Sequence, residues 1–330
     1  MLKQKYYLKQ ILPTELDTYL AKGWYRSGQS VFTTNLIFLE DAIYSPIWTR
    51  LMLDDFYFKK RHRKLIKNNE ARFKTVVQPS VITNEKEHLY KLHKKRFNKF
   101  SPHNLKEYLL DETPDNVFNT YEIAVYDGDI LVAVSFFDVG RESLMSMLAI
   151  FHPDYAKYSL GMYTLLQEIN FGVQQGMIYH YSGYVVPGYS RFDYKMRVGE
   201  LEFLDDKDKK WKQYHQIDLE VLPAKKIKLK IEELQYWLNI FDIKYHCYYF
   251  KSFDLAILEG DLPDTHMVSP LFLTCLTESF KDVVPVVEFD LISDQFCLSM
   301  CQEADMGSRF AIVKEKIIIE NKSPLCIVQW

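Results

Sequence analysis

Cysteine is scarce in this chain: only five of its 330 residues are cysteine, and the first of them is Cys247. An odd number of cysteines confined to the last third argues against a disulfide framework, and the spacing of Cys297 and Cys301 is poor for zinc. No apolar run approaches the roughly 18 residues of a membrane span. The first seven residues also lack the apolar core of a signal peptide. We therefore expect a cytoplasmic protein with no metal site and no membrane partner.

A strong net charge is also absent, since the formal charge is -3. Any contact with nucleic acid must therefore rely on a local basic patch. Such a patch runs from Lys59 to Lys67 with no acid between Asp55 and Glu70, and it could hold an RNA backbone by releasing counterions. The aromatic residues 56–58 before it could stack on an unpaired base. The other interpretation of this charge run is a solvated loop without a ligand. The candidate binding residues are Lys59, Lys60, Arg61, Arg63, Lys64 and Lys67.

The middle of the chain predicts a mixed sheet with one crossover helix. Asp127-Gly128 is a two-residue hairpin signal between two β-rich runs, and Gly176 predicts the end of the following helix. The predicted elements are strands over 121–126, 130–137 and 144–151, a helix over 159–175, and a strand over 178–186. Three antiparallel strands, a crossover helix and a further strand form the core order of GNAT acyltransferases.

Weaker patterns flank this core. We expect a helix over 14–22 that is capped by Thr14, and a helix over 84–99 with Asn84 as its cap and Glu87 in a capping box. The segment 30–53 predicts two strands. Beyond residue 222 the expected elements are an edge strand over 226–230, a helix over 231–241, and strands over 285–291, 310–319 and 325–329.

The predicted fold class is α+β, or mixed α/β, with a GNAT-like core and a second, smaller α/β domain at the C-terminus. The predicted boundaries are 1–75 for an N-terminal region that carries the basic patch, 76–215 for the catalytic core and 222–330 for a C-terminal domain of unknown role.

The turn Ser159-Leu160-Gly161 comes directly before the crossover helix. A helix N-terminus offers unpaired N–H donors to a phosphate or a developing oxyanion, and Gly161 would let a ligand approach the backbone. The alternative is that Ser159 only caps the helix and Gly161 eases packing. A coenzyme A enzyme usually has two glycines in this loop, and this chain has one, which disfavours a coenzyme A donor.

A second set of candidates follows the turn: Tyr181, Tyr184, Tyr194 and Lys195. In a GNAT core two strands diverge here and leave a slot for the acceptor amine. A tyrosine hydroxyl could protonate a leaving oxygen, and Lys195 could hold a carboxylate or a phosphate. The alternative is that these tyrosines are ordinary sheet residues. Glu122 is a candidate general base, although an exposed structural carboxylate is the other interpretation.

Together these motifs resemble the aminoacyl-tRNA–protein transferase family, the arginyl- and leucyl-tRNA enzymes of the N-degron pathway. Gly23-Trp-Tyr-Arg-Ser-Gly28 matches an N-terminal family motif and brings in Arg26, Ser27 and Gly28, while residues 56–68 mirror a second motif loosely. The strongest match comprises Phe151-His-Pro-Asp-Tyr155, Ser159-Leu-Gly161, Tyr163, Glu168-Ile169, Tyr181-Ser-Gly-Tyr184 and Tyr194-Lys195. The resemblance covers residues 12–205. The family's N-terminal cysteines are missing, so a metal-dependent or redox role is not implied.

The resemblance implies transfer of arginine or leucine from a charged tRNA to the N-terminal α-amine of proteins, acidic N-termini included, which marks them for degradation. Residues 159–161 would then bind the donor, the slot residues would carry the chemistry and the basic patch would hold the tRNA. The co-substrate is aminoacyl-tRNA, and neither a further cofactor nor a DNA partner is expected. A terminal amine has a pKa near 7.7–8, so a useful fraction of it is neutral without a strong base. Positioning and oxyanion stabilisation can then supply most of the catalysis. Two alternatives stay open: a coenzyme A-dependent N-acyltransferase and a catalytically silent RNA- or protein-binding paralogue.

Overall fold

The computed structural model describes residues 3–95, 102–111, 113–250, 269–275, 283–305 and 310–329. The chain forms two compact units. The central unit consists of Tyr6–Phe32 and Ile47–Ile217, and the C-terminal unit consists of Met1–Lys5, Thr33–Pro46 and Asp218–Trp330. Residues 47–75 supply a strand and a helix to the central unit. This unit therefore combines part of the predicted N-terminal region with the predicted catalytic core.

The strands are numbered in chain order: β1 (Lys3–Tyr7), β2 (Tyr25–Ser27), β3 (Ser30–Thr34), β4 (Ile37–Leu39), β5 (Ala42–Tyr44), β6 (Ile47–Met52), β7 (Lys74–Pro79), β8 (Thr120–Asp127), β9 (Ile130–Val139), β10 (Ser143–Phe151), β11 (Tyr179–Val185), β12 (Leu201–Leu204), β13 (Trp211–Gln213), β14 (Tyr245–Tyr249), β15 (Leu271–Cys275), β16 (Val284–Asp290), β17 (Gln295–Asp305) and β18 (Phe310–Asn321). The α-helices are α1 (Pro13–Ala21), α2 (Lys60–Glu70), α3 (Asn84–Lys94), α4 (Leu105–Leu110), α5 (Leu160–Gln174), α6 (Pro223–Ile240) and α7 (Pro324–Val328). Short 3-10 helices span Pro153–Tyr158, Ser190–Arg197, Tyr214–Gln216 and Leu219–Val221.

An eight-stranded sheet organises the central unit, in the order β13-β12-β6-β11-β10-β9-β8-β7. Strands β8, β9 and β10 pair antiparallel, and β11 pairs parallel to β10 after the crossover through α5. Gly128, with a φ of 62°, makes the tight β8–β9 turn that the sequence predicted. The predicted GNAT-like core order and the mixed α/β fold class are therefore confirmed.

Helix α5 covers one face of this sheet. Its Leu165, Leu166 and Ile169 are buried and pack against Ile123 and Val125 of β8. Burying side chains of this size stabilises a fold by about 1.5–3 kcal/mol each. Val173, one turn after Ile169, is 39% exposed and lies outside this buried face.

Two helix caps differ from the predicted ones. Helix α1 begins with Leu12 as its N-cap, and its first turn is closed by Glu15, which accepts from the Leu12 amide at 2.7 Å. Helix α3 is capped by Thr83, whose side chain accepts from Lys86 N. Glu87 closes no capping box, because its carboxylate instead accepts from the first amides of α4. The predicted end of this helix at 96–99 lies outside the described residues.

The segment 30–53 holds four strands, where two were predicted. Glu40 and Asp41 both have positive φ angles and form the turn of an additional hairpin, β4–β5. Two consecutive left-handed residues suit the twist of such a hairpin, and a short polar pair of this kind gives only a weak sequence signal.

The C-terminal unit is a five-stranded antiparallel sheet, β14-β15-β16-β17-β18, with α6 and α7 packed on it. The predicted strands over 285–291 and 310–319 are confirmed as β16 and β18. The predicted strand over 226–230 is wrong, because this segment belongs to α6, which buries Ile227, Ile231 and Leu234 at helical spacing. The predicted strand over 325–329 is α7, which has a proline at its first position. None of the helices in the described ranges is long and apolar enough to cross a membrane.

Candidate active site

A slot opens in the central sheet where β10 and β11 diverge. The two strands pair at only three positions, from Ser143–Tyr179 to Met145–Tyr181, although they continue to Phe151 and Val185. A register shift in β10 between residues 146 and 148 accompanies the separation. Because the short 3-10 turn after β10 leads directly into α5, the N-terminus of α5 lies at the open end of this slot.

The N-terminus of α5 offers three backbone amides. Ser159 has left-handed φ and ψ angles of 54° and 42° and makes no side-chain cap, so the capping alternative from the sequence is not supported. The first helical bond joins Tyr163 N to Ser159 O, at 2.9 Å. The amides of Leu160, Gly161 and Met162 therefore have no partner within the helix. The Leu160 side chain is fully buried, whereas Ser159 is exposed and Gly161 is half-buried.

Gly161 is not required by close packing. A Cβ atom added to it would lie 3.5 Å from the ring of Phe151, which is an ordinary van der Waals distance. The alternative in which this glycine eases helix–sheet packing is therefore weak, and close approach of a ligand to the backbone remains a prediction.

Lys195 lies on the 3-10 helix that covers β11 beside the slot. Its Nζ donates a hydrogen bond of 2.9 Å to Tyr184 O and lies 5.5 and 5.3 Å from the ring centres of Tyr184 and Phe192. Burial lowers the pKa of Lys195 to about 7, and no carboxylate contributes to the shift.

Tyr184 and Tyr194 stand beside this lysine. The Tyr184 ring packs against Trp48 and Phe192, with centre distances of 5.3 and 5.2 Å. Tyr194 is partly exposed, but burial of its hydroxyl, with a contribution from the charge of Glu168, raises its pKa to about 12. The structure therefore brings Tyr184 and Lys195 into contact, with Tyr194 next to Lys195 in the chain.

A buried acid–imidazole pair was missed by the sequence reasoning. His180 Nε2 lies 3.3 Å from Glu168 Oε2, and both side chains are inaccessible to solvent. Glu168 Oε1 and His180 Nδ1 have no hydrogen-bond partner. The available signal was an acid within the apolar face of a helix, because a glutamate seldom lies there without a partner.

Tyr181 does not line the slot. It is 1% exposed and packs into an aromatic cluster with Tyr25 and Trp211, at ring-centre distances of 6.2 and 5.6 Å. Burial, opposed by Arg50, raises its pKa to about 12. Because strand neighbours alternate between faces, Tyr181 and His180 point to opposite sides of the sheet. The structure thus separates Tyr181 from α5 and assigns it to the core.

Glu122 is not an exposed carboxylate, and its position does not suit a general base. Its two oxygens accept hydrogen bonds from Lys86 Nζ at 2.5 and 2.6 Å, and Oε1 also accepts from Gln78 at 2.8 Å. The pair is buried between β8 and α3. Both oxygens are engaged by Lys86 and shielded from solvent, so Glu122 cannot reach a substrate amine and instead anchors α3 to the sheet.

The motif of Arg26, Ser27 and Gly28 is a structural clamp and lies outside the slot. Arg26 Nη1 forms a fully buried ion pair with Asp138 at 2.7 Å, and the guanidinium also donates to Gly28 O, Thr120 and Asn116. Ser27 O accepts from Ser30 Oγ. Gly28 has a φ of 55°, and a Cβ atom there would come within 1.9 Å of Asp111.

The basic patch forms helix α2, preceded by Lys59 as its N-cap, rather than a loop. Arg61 Nη2 donates to Arg197 O at 2.6 Å, at the end of the segment that carries Lys195. Asn69 Nδ2 donates to Tyr158 O, one residue before Ser159. The helix therefore contacts both parts of the candidate site. All six predicted binding residues are exposed: Lys59, Lys60, Arg61, Arg63, Lys64 and Lys67.

The aromatic residues before α2 do not all stay available for stacking. Phe56 and Phe58 pack partly into the main core, and Tyr57 is 73% exposed. Across the described ranges, no three His, Cys, Asp or Glu side chains converge as a metal ion would require.

The part of the chain that holds this site is similar to known transferases. Residues 51–205 match the family model described as the C terminus of arginine-tRNA-protein transferase. The aspartate/glutamate leucyltransferase of Leptospira interrogans is 28% identical over 193 residues, which cover 57% of this chain and 73% of that protein. The proteins of the same name from Helicobacter hepaticus and Campylobacter jejuni are 25% and 27% identical, over 60% and 58% of this chain and 83% and 81% of theirs.

Solved structures resemble the chain only distantly. FemX matches with a TM-score of 0.34 and 10% identity, over 53% of this chain and 61% of its own. A GCN5-related N-acetyltransferase from Kribbella flavida matches with a TM-score of 0.27 and 11% identity, over 43% of this chain and 48% of its own.

Proposed function

We propose that residues 51–205 form a domain of the aminoacyl-tRNA–protein transferase type and that the chain transfers leucine from a charged tRNA to proteins with an acidic N-terminus. The choice of leucine, and of aspartate or glutamate as acceptors, is supported by the names of the relatives. Arginine is the second candidate for the donated amino acid, because the family model is named after it.

The divergence of β10 and β11 beside the N-terminus of α5 is the observation that carries this proposal. The reaction joins the acceptor α-amine to the aminoacyl carbonyl, breaks the ester bond to the terminal ribose and releases the free tRNA hydroxyl. The amides at 160–162 are suited to stabilise the negative charge that develops on the carbonyl oxygen. The slot holds the amine close to that carbon, and the ester is already activated, so positioning supplies much of the rate.

Tyr184 and Tyr194 are proposed to line the acceptor side of the slot. A neutral phenol can donate a hydrogen bond to the departing ribose oxygen, and the raised pKa of Tyr194 keeps its hydroxyl protonated at physiological pH. No cofactor beyond the charged tRNA takes part in the proposed reaction.

Helix α2 is proposed to hold the acceptor arm of the tRNA. Its exposed cations would contact phosphates without reading base sequence, which suits an enzyme whose specificity lies in the aminoacyl group. The contacts of Arg61 and Asn69 set this helix against both Arg197 and Tyr158. A phosphate backbone that follows α2 therefore brings the 3′ end towards the slot. We assign the reaction to the cytoplasm, where charged tRNA is available, and its product to protein degradation.

A transfer assay tests the proposal. The full chain is mixed with radiolabelled leucyl-tRNA or arginyl-tRNA and with peptides that begin with Asp, Glu or Ala. We expect label from leucyl-tRNA in the Asp and Glu peptides, and none when the same peptides carry an acetylated N-terminus. Absence of transfer from every charged tRNA, with acetyl-CoA labelling the same peptides, would instead support a coenzyme A acyltransferase.

A further inference from the structure

Lys195 is half-buried and differs from two other shielded lysines of the described residues. Lys86 is paired with Glu122 and Lys314 is paired with Glu288, and in both pairs the carboxylate is almost fully buried. Lys195 has instead one carbonyl, Tyr184 O, and two aromatic rings as its neighbours. One carbonyl and two rings replace only part of the solvation that a shielded ammonium loses, because no carboxylate is paired with it.

The coordination of Lys195 leaves room for an anion. An ammonium has three N–H donors, and the structure shows one of them directed at Tyr184 O. Gly183, next to Tyr184 on β11, also lies beside the ammonium: a Cβ atom there would lie 3.2 Å from Nζ. The glycine therefore keeps a side chain away from this part of the ammonium.

A carboxylate is the ligand that this site fits best. The exposed cations of α2 already supply contacts for a phosphate backbone, and they remain in water, where sequence-blind phosphate contacts are usually made. Lys195 sits in an apolar and aromatic setting, where a single ion pair discriminates strongly between a charged and a neutral ligand. This setting suits the recognition of a single acidic side chain of the substrate.

We propose that Lys195 determines acceptor specificity by binding the side-chain carboxylate of an acidic first residue. The inference rests on the proposed function and adds the residue that recognises the first side chain of the acceptor. In aspartate only Cα and Cβ separate the α-amine from the carboxyl carbon, so holding the carboxylate at Lys195 also holds the amine inside the slot. Asparagine has the same shape without the charge and is the matched test of this contact.

The test compares Lys195→Met with the wild-type full chain. Methionine fills similar space in an apolar site, so the variant removes the charge with little change in packing. We measure kcat/KM for peptides that begin with Asp, Asn or Ala, together with KM for leucyl-tRNA. The ratio of Asp to Asn should fall by roughly 10- to 100-fold, the range for one hydrogen bond to a charged group. The KM for leucyl-tRNA should stay unchanged. Lys207→Met, at an exposed lysine of the same unit, should leave every value unchanged.

Three results would overturn the inference while the proposed function stands. One is an equal loss for all three peptides, which indicates a structural or catalytic role for Lys195. Another is a raised KM for leucyl-tRNA with an unchanged Asp-to-Asn ratio, which indicates a phosphate contact. The third is equal affinity of the wild-type chain for the Asp and Asn peptides in a fluorescence-polarisation titration. That titration needs no turnover, so it tests Lys195 even if no amino acid is transferred and the proposed function fails.

Discussion

Replacement of Arg26 by methionine should destabilise the central unit by about 3–5 kcal/mol, the range for removing one partner of a buried ion pair. Both side chains of the Arg26–Asp138 pair are inaccessible to solvent. Arg26 also donates to Thr120 at 2.8 Å and to Gly28 O at 2.7 Å. Without the guanidinium, Thr120 Oγ1, at 2.6 Å, is the only donor that the structure shows for the Asp138 carboxylate.

Urea denaturation of the full chain measures this loss. With an m-value of about 2 kcal/mol/M, the midpoint should fall by roughly 2 M. Arg141→Met is the matched control, because Arg141 is an exposed arginine of the same unit, and its free energy of unfolding should stay within about 0.5 kcal/mol of wild type. Adding Asp138→Asn to Arg26→Met should recover part of the loss, since no unpaired charge then stays buried.

The pH dependence of the same variant has a definite sign. Burial already raises the pKa of Asp138, and Arg26 opposes that shift. Removing Arg26 therefore raises the folded-state pKa further above the unfolded value. The folded variant then binds more protons than the unfolded one, so its stability increases as the pH falls. A variant as stable as Arg141→Met, or one whose deficit grows at low pH, would refute the assignment of Arg26 as a structural clamp.

Three other predictions test the remaining assignments. Gly28→Ala should cost more than about 2 kcal/mol in a urea titration, because a Cβ atom would overlap Asp111. Gly128→Ala, at a similar φ angle but with no atom within 4 Å, should cost only about 1–2 kcal/mol, and equal costs would contradict the steric reasoning. With a pKa of about 7, Lys195 loses most of its positive charge between pH 6 and pH 8. The Asp-to-Asn ratio of kcat/KM should therefore fall roughly 10-fold over this range, and an unchanged ratio would exclude recognition of the carboxylate by an ammonium. Filter binding of tRNA compares a triple variant of α2, with Lys60, Lys64 and Lys67 changed to Gln, with a control triple, in which Lys207, Lys209 and Lys210 are changed to Gln. The α2 triple should bind tRNA more weakly, and the slope of log K against log salt concentration should become shallower by about two to three. An equal effect of the control triple would show non-specific attraction.

The core of the fold could be predicted because its signals are local. Strands β8 to β10 show dense β-branched and aromatic runs, and Gly128 and Gly176 mark a turn and a helix end with positive φ angles. The segment 226–230 was misread because its five residues alternate, and its helical period appears only when Ile231 and Leu234 are included. Short windows cannot distinguish the two periods.

The candidate site was predicted less completely, since a motif gives spacing but does not give burial. Tyr181 and Tyr184 are three residues apart in one motif and pack on the same aromatic cluster, but Tyr181 is fully buried there whereas Tyr184 also contacts Lys195. The burial of Glu122 and Arg26 was missed for another reason. Their partners lie 36 and 112 residues away, so no local pattern reveals that they are buried and paired.

The charged groups of the central unit divide into two kinds, and the division gives a criterion for function. Glu122 and Arg26 lie in buried ion pairs whose loss should lower stability. Lys195 is half-buried with one carbonyl and two rings but no carboxylate as neighbours, so methionine there should cost little stability. A charge that the fold does not pair with an opposite charge stays available to a ligand. Stability and acceptor selectivity should therefore respond to different substitutions in this unit, with Arg26→Met changing the first and Lys195→Met the second.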